Sequence, residues 1–321
     1  MSESTKNTLS YEEFVSYNGT MVDIFYFITG ECNFHCNFCA FKNKENYQDM
    51  TLSNTQNFVS KMEQVILKYP ERRFMLNFMG GEPTLNVNVL EQHFNLIKPL
   101  RDKYPNQFRI GLYTNGYFAN NEESLNKVLN FKLDSILFSC SKDHFDNWNY
   151  IYLRNLLLKD YNKDTKFSFL FVNPELCKQN YIDKLLELGV GQDKINYMLE
   201  NEATQSKTCL DISSQTELAN FFKESTQTYN GSMYKPFGVF IINDKIYTNC
   251  VQSCNLPWCQ LSDDLDTAIN QSLDMYMVVD QPGKEDCLLT CKYLQERGFN
   301  CFQKCKLKVN LENDKINIVN K

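Results

Sequence analysis

The hydrophobic positions of this chain change period repeatedly, and the changes mark out alternating strands and helices. Short apolar runs stand at Val22–Ile28, Arg73–Met79, Phe108–Tyr113, Ser135–Ser139, Phe167–Val172 and Lys194–Leu199, each of a length that suits a strand. Between them apolar residues recur every three or four positions. Over Thr51–Tyr69 they are Phe58, Met62, Ile66 and Tyr69, with Val59 and Val65 beside them. This spacing predicts a helix with Ser53 or Asn54 as its cap and Pro70 at its end. Further helices are predicted over Val87–Lys103, Glu122–Asn130, Asn147–Lys159 and Tyr181–Leu188. Strands alternating with helices of this length imply right-handed crossovers and a parallel sheet of the α/β class. The pattern alone suits an open doubly wound sheet as well as a rolled one. In either, functional groups gather at the C-terminal strand ends, where Cys32, Gly80, Asn115 and Ser139 fall.

The pattern differs on both sides of this region. Residues 1–20 are polar and read as an N-terminal extension. Past Leu199, Asn201–Thr208 is polar, Thr216–Thr228 reads as a helix, and Pro236–Tyr247 reads as a hairpin with Asn243-Asp244 at its turn. A boundary near residue 205 divides the chain into an extension (1–20), an α/β domain (21–205) and a cysteine-rich domain (206–321).

Composition narrows the function. With 321 residues, 43% hydrophobic and 14% aromatic, the chain can bury a large core. A formal charge of −6, without basic runs interleaved with aromatics, argues against nucleic acid as a partner. The N-terminus lacks a basic start followed by an apolar core, and no stretch approaches the roughly 18 apolar residues of a membrane span, so no membrane partner and a cytoplasmic location are expected. Thirteen cysteines in a reducing compartment point to metal or catalytic use, and seven of them lie between Cys250 and Cys305.

Three more stand in one loop directly after the first strand: Cys32, Cys36 and Cys39, at C-x3-C-x2-C spacing. An iron–sulfur cubane takes one thiolate per iron, so three cysteines leave one iron of a [4Fe–4S] cluster open for chemistry. Alternatively, Cys32, His35, Cys36 and Cys39 supply the four N/S ligands of a structural zinc site. After the second strand comes Met79-Gly80-Gly81-Glu82-Pro83, where glycines allow close backbone approach and a carboxylate can accept from an ammonium group. His93 shares a helix face with Val89, Leu96 and Leu100 and reads as packed; His144 follows a strand end as a further candidate.

The cysteine loop, with Phe38 just before its third cysteine, resembles the signature loop of the radical S-adenosylmethionine (SAM) enzymes. The resemblance implies a partial (β/α)6 TIM-type barrel and SAM bound on the open iron of a [4Fe–4S] cluster. There the sulfonium is reductively cleaved to a 5′-deoxyadenosyl radical that abstracts hydrogen from a substrate. It implies that Phe38, Gly80, Gly81 and Glu82 serve SAM binding, with Gly80, Gly81 and Glu82 at the amino group. Thr114, Asn115 and Ser139 would lie at the ribose and methionine portions, and Arg154 at the carboxylate. A flavodoxin- or ferredoxin-like electron donor follows from the same chemistry.

The tail brings a second resemblance. Val239–Cys250, a hairpin leading to a cysteine, and the pair Cys301 and Cys305 resemble the SPASM and twitch extensions of radical SAM enzymes, which carry auxiliary iron–sulfur clusters. The implied ligands are Cys250, Cys254, Cys259, Cys287, Cys291, Cys301 and Cys305, with Cys209 as a possible eighth; eight thiols would saturate two [4Fe–4S] clusters. Lys245 stands where the family has a turn glycine, and Cys287-x3-Cys291-x9-Cys301 is wider than the family's spacing, so one cluster, two clusters or a zinc site all stay open. Cys140 and Cys177 read as ordinary buried thiols. Relatives with such extensions commonly modify peptides, which implies a ribosomally made peptide or protein side chain as substrate. A small metabolite, or a regulator that never turns over SAM, are the alternatives. About twenty residues before the first strand are too few for an added peptide-recognition domain, so a leader peptide would dock elsewhere.

Overall fold

A computed structural model describes residues 8–15, 21–36, 39, 48–158, 165–172, 179–198, 238–247, 259–260, 265–270, 307–312 and 315–320. After a short helix α1 (Tyr11–Val15), strands and helices alternate: β1 (Met21–Phe27), α2 (Leu52–Lys68), β2 (Arg73–Met79), α3 (Val87–Lys103), β3 (Phe108–Thr114), α4 (Glu122–Asn130) and β4 (Ser135–Cys140). Then come α5 (Lys142–Asn147), α6 (Tyr150–Leu158), β5 (Lys166–Val172), α7 (Gln179–Glu187) and β6 (Ile195–Met198).

Strands β1 to β6 pair in parallel and in chain order, with Tyr26 opposite Phe78 and Leu112 opposite Ile136. A chain-order sheet with crossovers of one hand carries its helices on one face. Period-2 alternation then sorts the side chains. Ile24, Tyr26, Leu76, Phe78, Ile110, Leu112, Phe138 and Phe169 join Phe58 and Met62 of α2 and Leu90 and Phe94 of α3 in one buried core. The alternate residues, among them Asp23, Phe25, Asn77, Gly111, Ser135 and Ser139, lie on the other face.

The hairpin β7 (Gly238–Ile242) and β8 (Lys245–Tyr247) is present, with Asn243 at its turn in the left-handed region (φ 53°). The sequence groups it with the cysteine-rich region, yet β7 pairs in parallel with β1 and Phe240 stacks on Phe25 at 4.5 Å. With β9 (Cys259–Gln260) beside β8, the sheet has nine strands in the order β6-β5-β4-β3-β2-β1-β7-β8-β9. A short helix α8 spans 265–270, and β10 (Leu307–Glu312) and β11 (Lys315–Asn320) form a separate antiparallel pair. The predicted helix Thr216–Thr228 and the boundary near residue 205 lie outside the described residues. Among those described, no helix is long and apolar enough to cross a membrane.

Three expectations are corrected. The cap of α2 is Thr51, whose side chain accepts from Asn54 N, not Ser53 or Asn54. The helix expected over Asn147–Lys159 is present as α6 but starts at Tyr150, because Trp148 (φ −74°, ψ 138°) is extended and its buried indole donates from Nε1 to Asn115 O at 2.6 Å. And residues 8–15 are not a polar arm, because Phe14 is fully buried. Arg73 donates to the carbonyls of Glu13 and Phe14, while Arg109 donates to Leu9 O and pairs with Asp134 at 2.7 Å. Both guanidiniums lie 5.4 Å from the Phe14 ring centre, so α1 seals the N-terminal end of the sheet.

Candidate active site

At the opposite end, where β1 and β2 stop, the cysteine loop is clamped by main-chain hydrogen bonds. Ile28 N donates to Met79 O, Gly81 N to Thr29 O and Glu82 N to Glu31 O, all at 2.7–2.8 Å, and Met50 N returns to Ile28 O at 2.9 Å. Gly30 N donates to the Asp49 carboxylate at 3.1 Å. Two backbones approach this closely only without side chains: a Cβ on Gly81 would stand 2.0 Å from Glu31 O, and one on Gly80, at φ +144°, 2.4 Å from Thr29 O. The glycine pair thus docks the cysteine loop against β2.

Glu82 sits behind this junction, 1% exposed. Its Oε1 accepts from Thr84 N at 2.9 Å, from the Thr84 hydroxyl and from the Thr114 hydroxyl at 2.8 Å, and its Oε2 accepts from Asn115 N at 2.6 Å. Burial pushes its carboxyl above the usual range, and the donors from Thr84, Asn115 and Thr114 oppose that. The carboxylate expected to meet an ammonium group is held by these donors, which tie the end of β2 to the end of β3 and leave Oε2 with one accepted bond.

Asn115 is consequently held in place on several sides. Its carbonyl accepts from Trp148, its Oδ1 accepts from Tyr117 N, and its Nδ2 donates to Asn33 Oδ1 at 2.8 Å while standing 3.9 Å from Cys32 Sγ. Gly116, at φ +86°, leaves room for the indole; a Cβ there would lie 2.7 Å from Trp148 Nε1. Thr114 accepts from Gly116 N and is buried.

Cys32, Cys36 and Cys39 are thiols, each partly exposed. Cys39 packs with Met79 and Phe240 against Phe27 and Ile242 at the strand ends. Cys36 Sγ lies 3.7 Å from Nε2 of His144, on α5 just past β4, and the Phe34 ring meets the same imidazole edge-on at 5.0 Å. His144 is 2% exposed, and burial pushes its imidazole down to about 4 against the Asp143 carboxylate. His93 is also buried, but it bonds Thr55 Oγ1 at 2.7 Å inside the helical layer, as its packed reading expects.

The structure therefore brings Cys32, Cys36, Cys39, Gly80, Gly81, Glu82, Thr114 and Asn115 to one end of the sheet. Ser139 is partly exposed on the face of β4 opposite the helices, while Arg154 is exposed on α6. His35 is exposed. Phe38 and the cysteines Cys209, Cys250, Cys254, Cys287, Cys291, Cys301 and Cys305 lie outside the described residues; of the tail set only Cys259 is described, paired through β9 with Ile246. Asn33 and Trp148 are contributions that sequence reasoning missed, since nothing in their local pattern marks them.

Three thiols in one loop, docked by glycines that any Cβ would displace, suit a cluster bound by three cysteines. Among the described residues no three His, Cys, Asp or Glu side chains converge on one point. The fit therefore lies in the donor chemistry and the clamped loop.

Comparison with known proteins agrees with this geometry. Residues 26–141 match the family model described as the radical SAM superfamily. The radical SAM cyclopropyl synthase TigE of Paramaledivibacter caminithermalis is 29% identical over 105 residues, covering 28% of this chain and 21% of that protein. An uncharacterized protein of Methanocaldococcus jannaschii is 28% identical over 94 residues, covering 29% of this chain and 30% of that one. The matches thus span less than a third of these relatives' lengths. Among solved structures, anSMEcpe with bound AdoMet and Kp18Cys peptide superposes with a TM-score of 0.53 at 13% identity, over 83% of this chain and 88% of that one, a likeness of fold.

Proposed function

We propose that this chain is a radical SAM enzyme that removes hydrogen from a peptide or protein side chain, with Cys32, Cys36 and Cys39 as the ligands of its catalytic [4Fe–4S] cluster. The observation that carries the reading is the clamped loop: three thiols docked by Gly80 and Gly81 within the stretch that matches the radical SAM family model. When bound, the cluster and SAM supply a reductively generated carbon radical that abstracts hydrogen.

The chain's own part is to bind and orient. The Gly80–Gly81 main chain and Glu82 receive the amino group of SAM, with Glu82 held in place by Thr84, Thr114 and Asn115. Asn115, with Thr114 below it and Ser139 on the next strand, faces the ribose and methionine portions. Arg154, exposed on α6, is assigned to the SAM carboxylate. The chain-order sheet supports a partial (β/α)6 barrel, and its open face receives the substrate.

The tail is proposed to bind one or two auxiliary [4Fe–4S] clusters through Cys250, Cys254, Cys259, Cys287, Cys291, Cys301 and Cys305. Support for a peptide substrate comes from the peptide bound in the anSMEcpe structure and from the hairpin β7–β8, which joins the tail to the sheet. A flavodoxin- or ferredoxin-like donor and a cytoplasmic site of action complete the proposal.

Anaerobic incubation of the reconstituted protein with SAM and dithionite tests it. Formation of 5′-deoxyadenosine is expected; protein that holds four irons in the cysteine loop yet releases none contradicts the enzyme reading.

A further inference from the structure

We infer that His144 is a positioning residue for the catalytic cluster: its Nε2–H donates a hydrogen bond to the sulfur of Cys36 and raises the potential at which the cluster accepts its electron. The inference rests on the cluster-binding role proposed for Cys36. It is carried by geometry. Nε2 lies 3.7 Å from Cys36 Sγ, a hydrogen-bond distance for sulfur, and the ring is 2% exposed and held edge-on by Phe34 at 5.0 Å.

The other ring nitrogen decides the tautomer. Nδ1 is buried and makes no hydrogen bond of full distance and angle, while the Ser139 main chain lies near the ring and favours its charged form. A neutral imidazole carries one N–H, and with Nδ1 unbonded and Nε2 3.7 Å from a sulfur that accepts as a thiolate, we place the proton on Nε2. Helix α5 sets this aim, because Phe145, next in sequence, is anchored by Trp148 at 4.7 Å and Phe171 at 5.6 Å. The hydrogen-bond distance to Cys36 Sγ would suit the imidazole to the sulfur that holds the cluster.

A donor on a thiolate stabilises the reduced, more negative cluster more than the oxidised one, since hydrogen bonds to cluster sulfur set its potential. Removing it should lower the reduced fraction at fixed poise about tenfold, equivalent to about 59 mV for a one-electron couple. The test is an EPR-monitored redox titration of anaerobically reconstituted wild type, His144→Phe and His144→Gln, with iron counted in each. Phenylalanine keeps the shape and removes the donor, whereas glutamine places an amide N–H near the position of Nε2.

The expected result is a lower midpoint in His144→Phe, with His144→Gln near wild type. Equal midpoints in all three, or an equal shift in both variants, overturn the inference. Should His144→Phe fail to hold four irons, His144→Asn replaces it, its shorter side chain withdrawing the donor: a shift in Asn but not Gln supports the bond, and equal values in both overturn it. A wild type that takes up no cluster in the cysteine loop instead defeats the proposed function itself, so the two failures are distinct.

Discussion

The two ends of the sheet solve opposite problems with the same kinds of residue. At the N-terminal end, charges are spent on one another and on main-chain carbonyls: Arg109 on Asp134 and Leu9 O, Arg73 on Glu13 O and Phe14 O, Lys166 on Glu12. At the C-terminal end, bonded groups such as Glu82 serve as a base beside which the thiol loop stands, and the buried imidazole of His144 has a nitrogen, Nδ1, without a hydrogen bond. Buried polar groups are ordinarily paired, so an orphan beside a thiol loop marks where a ligand is expected. Arg109 Nε at the sealed end also lacks a hydrogen bond, but it belongs to a guanidinium whose other nitrogens are bonded.

Substitutions should therefore separate the two ends. The largest effect is expected from Arg109→Ala, which leaves the 8%-exposed Asp134 carboxylate without its partner and should cost roughly 3 to 5 kcal/mol. Chemical denaturation reads that loss, while iron per folded protein stays unchanged. Gly81→Ala should do the reverse in emphasis. Its Cβ meets the Glu31 carbonyl, costing about 3 kcal/mol by overpacking, and the displaced cysteine loop should lose most of its iron on reconstitution. Iron retention by Gly81→Ala would break the comparison.

Glu82→Gln keeps the shape but sets an amide against the Asn115 N–H, and should cost about 2 kcal/mol. Weakened SAM binding, read by equilibrium dialysis, should accompany it, because Asn115 loses its anchor. The smallest effect concerns Asp23, which faces Asn77 at 3.3 Å and is pushed up to about 7 by burial. With its folded pKa above the unfolded value, the folded state binds the extra proton, so stability falls as pH rises from about 4 to about 7. A shift of that size corresponds to about 4 kcal/mol, but Asp23 keeps some contact with solvent on the inner face, so about 1 to 2 kcal/mol is expected. Denaturation of Asp23→Asn across that range should show a flatter pH profile than wild type.

Much of this was legible in the sequence because periodicity reports burial directly. The strands β1 to β6 and helices α2, α3 and α4 follow from runs such as Phe74–Phe78 and from spacings such as Phe58, Met62 and Ile66. The thiol loop and the glycine pair were legible because their chemistry depends on short spacing. What was not legible depends on contacts distant in sequence. Trp148 leaves a helical pattern for a carbonyl 33 residues away, and β7 finds β1 across two hundred residues. Phe14 looks like one apolar residue in a polar arm until two arginines close over it. That Thr114 and Asn115 converge on Glu82 was not legible either, because nothing local shows it.

The most direct test of the account is the metal content and Mössbauer spectrum of anaerobically reconstituted wild type beside a Cys32→Ala/Cys36→Ala/Cys39→Ala variant. The account predicts about eight or twelve irons in wild type and about four fewer in the variant, with the lost component a [4Fe–4S] signal. Equal iron in both proteins, or zinc in the place of the lost iron, would contradict it.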